Sequence, residues 1–197
     1  MRKFEVVKEE MLKVDNHKQG ETVQLPLRST KTSAGYDFYA TENLIIRPQD
    51  KVTIATDIKA EMPEDEFLMM VVRSSKGIKD DLILANTIGI IDSDYYNNPK
   101  NDGNLHICLR NLRPSMKING YNYINVETLV RDAEDKLTGE IDKRIIQVPR
   151  IEDLTEENTV YVDKGERVVQ GIFVKYSTAE NCNSENDRQG GIGSTDK

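Results

Sequence analysis

Leu44-Ile45-Ile46-Arg47-Pro48-Gln49-Asp50-Lys51-Val52-Thr53-Ile54-Ala55-Thr56-Asp57-Ile58 decides the fold class of this 197-residue chain. Three apolar residues lead into Arg-Pro-Gln-Asp, a turn signal. Residues 52–58 then alternate with period two, the pattern of a half-buried strand. The signature recurs outward in both directions. Phe4 to Val7 is a short β-prone run, Phe67 to Val72 a continuous apolar run of strand length, and Val168 to Val174 repeats the pattern. Leu105, Ile107 and Leu109 alternate with His106, Cys108 and Arg110, giving one apolar and one more polar face. Many short strands at close spacing predict an all-β domain: a sandwich, jelly roll or barrel.

The length suits one domain with a substantial core. Hydrophobic residues make up 37% and charged residues 31%, as in a well-solvated protein, and no apolar run approaches the roughly 18 residues of a membrane helix. Met1-Arg2-Lys3-Phe4-Glu5 lacks the apolar core of a secretory signal. Cys108 and Cys182 have neither metal nor redox spacing, so a reducing, cytoplasmic setting is expected. A net charge of −7 argues against a general nucleic-acid binder, because phosphate-backbone binding needs basic surface. One anionic small molecule remains within reach if Arg and Lys cluster locally, with backbone N–H donors and a divalent cation.

Residues 112–159 break the strand rhythm. They contain a set with helical spacing, Val126, Leu129, Val130, Ala133 and Leu137, with Asn125 as a candidate cap. The expectation is an insertion in a single β domain spanning residues 1–178. It is either a surface excursion with a short helix or a partner-binding element. Residues 179–197 read as a flexible arm, yet Gly190-Gly191-Ile192-Gly193-Ser194-Thr195 has the composition of a phosphate clamp: glycines admit an anion to backbone N–H groups, and two hydroxyls add donors.

Four further segments carry chemistry. Gly89-Ile90-Ile91-Asp92-Ser93-Asp94-Tyr95 puts a carboxylate where a strand meets a turn, beside an aromatic ring, an arrangement suited to water activation next to a sugar or base or simply to a hairpin. Arg73-Ser74-Ser75 sets a forked donor and two hydroxyls directly after a strand, which fits an anion or a surface ion pair. Ser33-Ala34-Gly35-Tyr36-Asp37 precedes a strand-like run. Gly165-Glu166-Arg167-Val168-Val169-Gln170 places an amide inside a strand, where a core neighbour or a ligand must satisfy it.

With the Gly-rich tail, these five segments in this order closely resemble the trimeric dUTPase family over about residues 1–111 and 160–197. The resemblance implies a jelly-roll-like β-clip domain. It also implies a homotrimer with shared active sites and Mg²⁺-dependent hydrolysis of dUTP to dUMP and pyrophosphate. By resemblance, Asp92 is the general base and Asp37 holds the hydrated metal. Arg73, Ser74 and Ser75 take the phosphates. Arg188, Gly193, Ser194 and Thr195 close over them from another subunit. Tyr95 packs under the deoxyribose, Asn86 and the backbone near His106 read the uracil edge, Ile90 and Ile91 are among the substrate-binding residues, and Gln170 contacts the nucleotide. Ile192 stands where the family usually has Phe, and Gly165 comes 73 positions after Asp92, an interval like that of some phage and Gram-positive forms. The related dCTP deaminases need a catalytic Glu where Cys108 stands, and a thiol cannot replace that carboxyl group. A regulatory protein on the same scaffold is the other alternative, with a protein partner held by residues 112–159.

Overall fold

The computed structural model of the chain describes residues 1–131 and 137–181. In chain order the elements begin β1 (Lys3–Val6), α1 (Asp15–Lys18), β2 (Tyr36–Tyr39), β3 (Leu44–Ile46), β4 (Lys51–Ala55) and β5 (Ile58–Glu61). Then come β6 (Glu66–Val72), α2 (Ser74–Lys79), β7 (Leu82–Leu84), β8 (Gly89–Asp92) and β9 (His106–Asn111). The series ends with β10 (Met116–Arg131), β11 (Leu137–Asp153), β12 (Val160–Val162) and β13 (Arg167–Lys175). Short 3₁₀ turns cover Glu9–Met11 and Ser93–Tyr95. Among the described residues no helix is long and apolar enough to cross a membrane.

The chain divides into two compact units, Met1–Arg113 with Thr159–Lys197, and Pro114–Asn158. The first is a jelly-roll-like β unit. Its four-stranded sheet runs β2-β13-β6-β8 and its three-stranded sheet β4-β9-β7, with β1-β5 and β12-β3 as separate pairs. All pairings are antiparallel, and β13 is seated between β2 and β6 from far along the chain. Alternation drives the packing. Leu68 and Met70 on β6, and Ile107 and Leu109 on β9, are almost fully buried with Phe38, Ile46, Val168 and Val169. Each such aliphatic side chain contributes about 2 kcal/mol by burial.

The alternating run 52–58 is two strands and not one. Asp57 lies in the left-handed region at φ 58°, which turns the chain between β4 and β5. Its fully buried carboxylate anchors the N-terminal segment, accepting hydrogen bonds from the backbone N–H groups of Lys13 (2.8 Å) and Val14 (3.0 Å) and from Asn104 Nδ2 (2.8 Å). His17 Nδ1 lies 2.9 Å from the same group. Periodicity saw the apolar face and missed the carboxylate that bends the strand.

The second unit corrects the helix expected around residues 126–137. β10 and β11 form one long antiparallel ribbon, and Asn125 is a strand residue opposite Ile145 and not a cap. Ile, Tyr, Val and Thr recur along the ribbon's sequence, and such side chains favour pleated backbone. The i, i+3, i+4 spacing arises where Leu129 and Val130 stand side by side in an otherwise β-prone run. Residues 132–136, with Ala133, lie outside the described residues.

Candidate active site

β8 brings the strand-to-turn segment against β6, with Ile90 opposite Met69 and Asp92 opposite Phe67. Gly89 packs on Met70, whose Cβ would lie 3.1 Å from any added Cβ, so a bare backbone lets the two strands close. A cavity of about 600 Å³ opens beside this pair. Asn86, Ile90, Ile91, Asp92, Tyr95 and His106 all line it, joined by Thr53, Met70, Leu84, Leu105 and Cys108. Asp92 and Asn86 are exposed, and Ile90 is 54% exposed.

Tyr95 is more deeply set than a free platform, at 6% exposure. Its hydroxyl donates to the Asn104 carbonyl (3.2 Å) and accepts from Asn101 Nδ2 (2.8 Å), which fixes the ring. The loop behind it turns at Gly103, φ 83°, where a Cβ would meet the Tyr95 carbonyl at 2.8 Å. That loop is staked down by buried Asp102, which accepts from the Lys8 N–H (2.8 Å) and from Lys59 Nζ (2.9 Å). His106 Nδ1 donates to the Asn104 carbonyl (3.0 Å), which orients the imidazole at the cavity wall. Thr53 and Cys108 face each other across β4 and β9 and complete that wall.

The remaining predicted residues gather elsewhere, around Asp37. This carboxylate is 1% exposed. One oxygen accepts from Gln170 Nε2 (3.2 Å) and pairs with Arg73 Nε (3.1 Å). The other accepts from Ser29 Oγ (2.7 Å) and Arg167 Nη1 (3.3 Å). Burial by itself pushes the Asp37 carboxyl up. The bonds from Ser29 and Gln170, the charge of Arg73 and the bond from Arg167 outweigh it, so the group is held below the usual carboxylate range. Gly35 makes room, since a Cβ there would sit 3.1 Å from the Gln170 side chain. Arg73 leads into α2, its N–H bonded to the Val168 carbonyl (3.0 Å), and Ser74 and Ser75 open that helix exposed to solvent. Buried Lys76 then ties α2 to Glu166 (2.6 Å) and Asp80 (3.1 Å).

None of the Asp37 group lines the Asp92 cavity. A second cavity, of about 320 Å³ and lined by His17, Glu21, Tyr39 and Lys164 among others, contains no predicted site residue. Arg188, Ile192, Gly193, Ser194 and Thr195 lie outside the described residues. Ser29 and Arg167 were not singled out by sequence reasoning. Arg167 lay inside a segment already quoted, but Ser29 is brought in by the isolated bridge of Leu27 to Asp37, which no motif announces.

A dUTPase family model matches residues 21–122. A Lactococcus lactis deoxyuridine 5'-triphosphate nucleotidohydrolase is 34% identical over 175 residues, 88% of this chain and 88% of the relative. The chain belongs to the dUTPase family. The matching enzyme of Corynebacterium diphtheriae is 32% identical over 94 residues, 48% of this chain and 58% of its own. Among solved structures, a Streptococcus mutans dUTPase superposes with a TM-score of 0.56 at 28% identity, over 90% of this chain and 98% of that one. The Staphylococcus bacteriophage 80alpha dUTPase gives 0.57 at 23% identity, over 94% and 97%. In this dUTPase chain, then, the motif residues form two groups, an exposed carboxylate at a cavity and a buried carboxylate among cations. The second group does not fit the holding of a hydrated Mg²⁺. Its carboxylate accepts hydrogen bonds from Ser29, Gln170 and Arg167 and is ion-paired with Arg73, so protein donors and cations already surround it.

Proposed function

We propose that this chain hydrolyses dUTP to dUMP and pyrophosphate, with the nucleoside in the Asp92 cavity and Asp92 as general base. Family membership, carried by a relative matched along 88% of both chains, supports the activity. Asp92 takes a proton from a water whose oxygen attacks the α-phosphorus. The bond from that phosphorus to the bridging oxygen breaks, pyrophosphate leaves, and the base releases its proton to solvent. Positioned base catalysis of this kind is worth roughly 10²- to 10⁴-fold. Asn86 and the backbone beside His106 meet the base edge, and a pairing that matches uracil leaves cytosine with opposed donors. The setting is cytoplasmic, and the Ser194 and Thr195 arm closes on the phosphates.

The active unit is a homotrimer with shared sites, a reading supported by the separation of the two groups. Asp92 stands opposite Phe67, and Arg73 follows six residues further along β6 and its end. At about 3.3 Å per residue that is about 20 Å, more than two side chains and a water span. A neighbouring copy bringing its Arg73 group to this Asp92 closes the gap. Incubation with each of the deoxynucleoside triphosphates, followed by pyrophosphate and ammonia assays, tests the activity. Pyrophosphate from dUTP alone is expected, and ammonia from dCTP would transfer the chain to the deaminases.

A second role is added by residues 112–159. The β10–β11 ribbon leaves Tyr123 71% and Ile145 72% exposed, and such a ribbon is marginal in water alone. A protein partner that covers these side chains suits it. Equal partner recovery by the full chain and by one lacking residues 112–159 would remove this reading.

A further inference from the structure

The buried carboxylate at the centre of the second group has a role that the dUTPase reading leaves open. Three observations bear on it. First, Asp37 has two guanidinium groups on it, with Arg73 Nε and Arg167 Nη1 within 3.3 Å, and Arg28 follows the Leu27 bridge and lies over the Tyr36 ring. One negative charge among these cations leaves the cluster net positive, which repels a divalent cation and attracts a polyanion. Second, Ser29, Gln170 and Arg167 donate hydrogen bonds to it and Arg73 lies in an ion pair at 3.1 Å, so a metal-bound water would have to enter a carboxylate already surrounded by protein donors and cations. Third, Arg73 Nε is ion-paired with Asp37 at 3.1 Å while 23% of the Arg73 side chain stays exposed, so part of the guanidinium remains open to solvent. A guanidinium held by one edge keeps its other edge for bidentate contact with an oxyanion.

We propose that Asp37 is a positioning residue that fixes the phosphate-binding fork of Arg73, and not the holder of a metal-bound water. The inference rests on the dUTPase reading given above. Mg²⁺ binds few carboxylates and retains water when it travels with substrate phosphates, so a metal requirement of the reaction needs no ligand at this position. The chain carries a net charge of −7, and this cluster supplies the local positive field that a triphosphate requires.

The two roles separate in a titration with α,β-imido-dUTP, a non-hydrolysable analogue, into the full-length wild type and Asp37→Asn, each in Mg²⁺ and in EDTA. Positioning predicts a loss on the order of tenfold in affinity, equal in the two buffers, because Arg73 is loosened whether or not metal is present. In turnover, KM should rise more than kcat falls. A loss confined to the Mg²⁺ buffer overturns the proposal and returns Asp37 to the metal's water. On an Arg73→Gln background the Asp37→Asn loss should shrink below about twofold, since one residue acts through the other; a full, additive loss overturns it as well. Should Asp37→Asn fail to fold, Ser29→Ala keeps the charge and removes one donor, and a loss of about threefold, equal in both buffers, is expected. Unchanged binding by that variant counts against the proposal. A wild type that ignores the analogue in both buffers fells the dUTPase reading itself, a result recognisable without any variant.

Discussion

Asp37 and Asp92 hang from one four-stranded sheet and are built in opposite ways. Asp37, on β2, is 1% exposed, accepts hydrogen bonds from three side chains and is ion-paired with Arg73. Asp92, at the end of β8, is exposed at the rim of a cavity of about 600 Å³. The residue type is the same, and the backbone class is the same. What differs is burial. A buried carboxylate among donors holds other side chains still, whereas an exposed one beside a cavity can meet a substrate's water.

The sharpest way to break the comparison is Asp92→Asn. The amide keeps the shape and cannot take the proton, so kcat should fall by roughly 10²- to 10⁴-fold, about 3–5 kcal/mol in the barrier. Binding of α,β-imido-dUTP should stay within a few-fold. Pyrophosphate release reads the first and calorimetry the second, and a near-normal kcat would strip Asp92 of its chemical role. A smaller recovery effect probes how the two groups meet. Arg73→Ala and Asp92→Asn copies, each inactive, are unfolded together and refolded as a mixture. If a site takes Arg73 from one copy and Asp92 from another, about a quarter of sites become complete by random pairing. No activity above the separate variants would mean that one chain supplies both groups.

The sequence displayed one of these carboxylates far better than the other. Asp92 was legible because an apolar run ends there and a turn follows, a local pattern that the pairing of β8 with β6 only had to place. Asp37 was legible as a residue but not in its surroundings. Its partners are Ser29, Arg73, Arg167 and Gln170, brought together by strand pairings that no spacing rule predicts. The all-β class followed from period-two runs, because that period follows directly from one-sided burial. The ribbon was misread for the converse reason. With both faces partly exposed, it has no single apolar side to fix a period of two, and a coincidental helical spacing stood out. The break at Asp57 was invisible because a left-handed aspartate looks like any polar residue in an alternating run.

The smallest effects extend the contrast to stability, with Asp57 as a second enclosed carboxylate. Burial pushes its carboxyl up, but the N–H groups of Lys13 and Val14, His17 and Asn104 more than offset that and hold it below the usual carboxylate range. A group whose value is depressed by folding stabilises the native state fully above the unfolded value, near pH 3.9 for aspartate, and that contribution is lost as pH falls through the lower folded value. Asp57→Asn should therefore cost about 2 kcal/mol at pH 7, through weakened charge-assisted bonds, and the deficit relative to wild type should narrow as the pH drops below about 4. Asp92→Asn, at an exposed site, should stay within about 0.5 kcal/mol of wild type across the same range. Urea unfolding of both variants between pH 7 and pH 3 makes the comparison. If the two carboxylates prove equally costly to remove, enclosure by donors is not what separates scaffold from chemistry in this sheet.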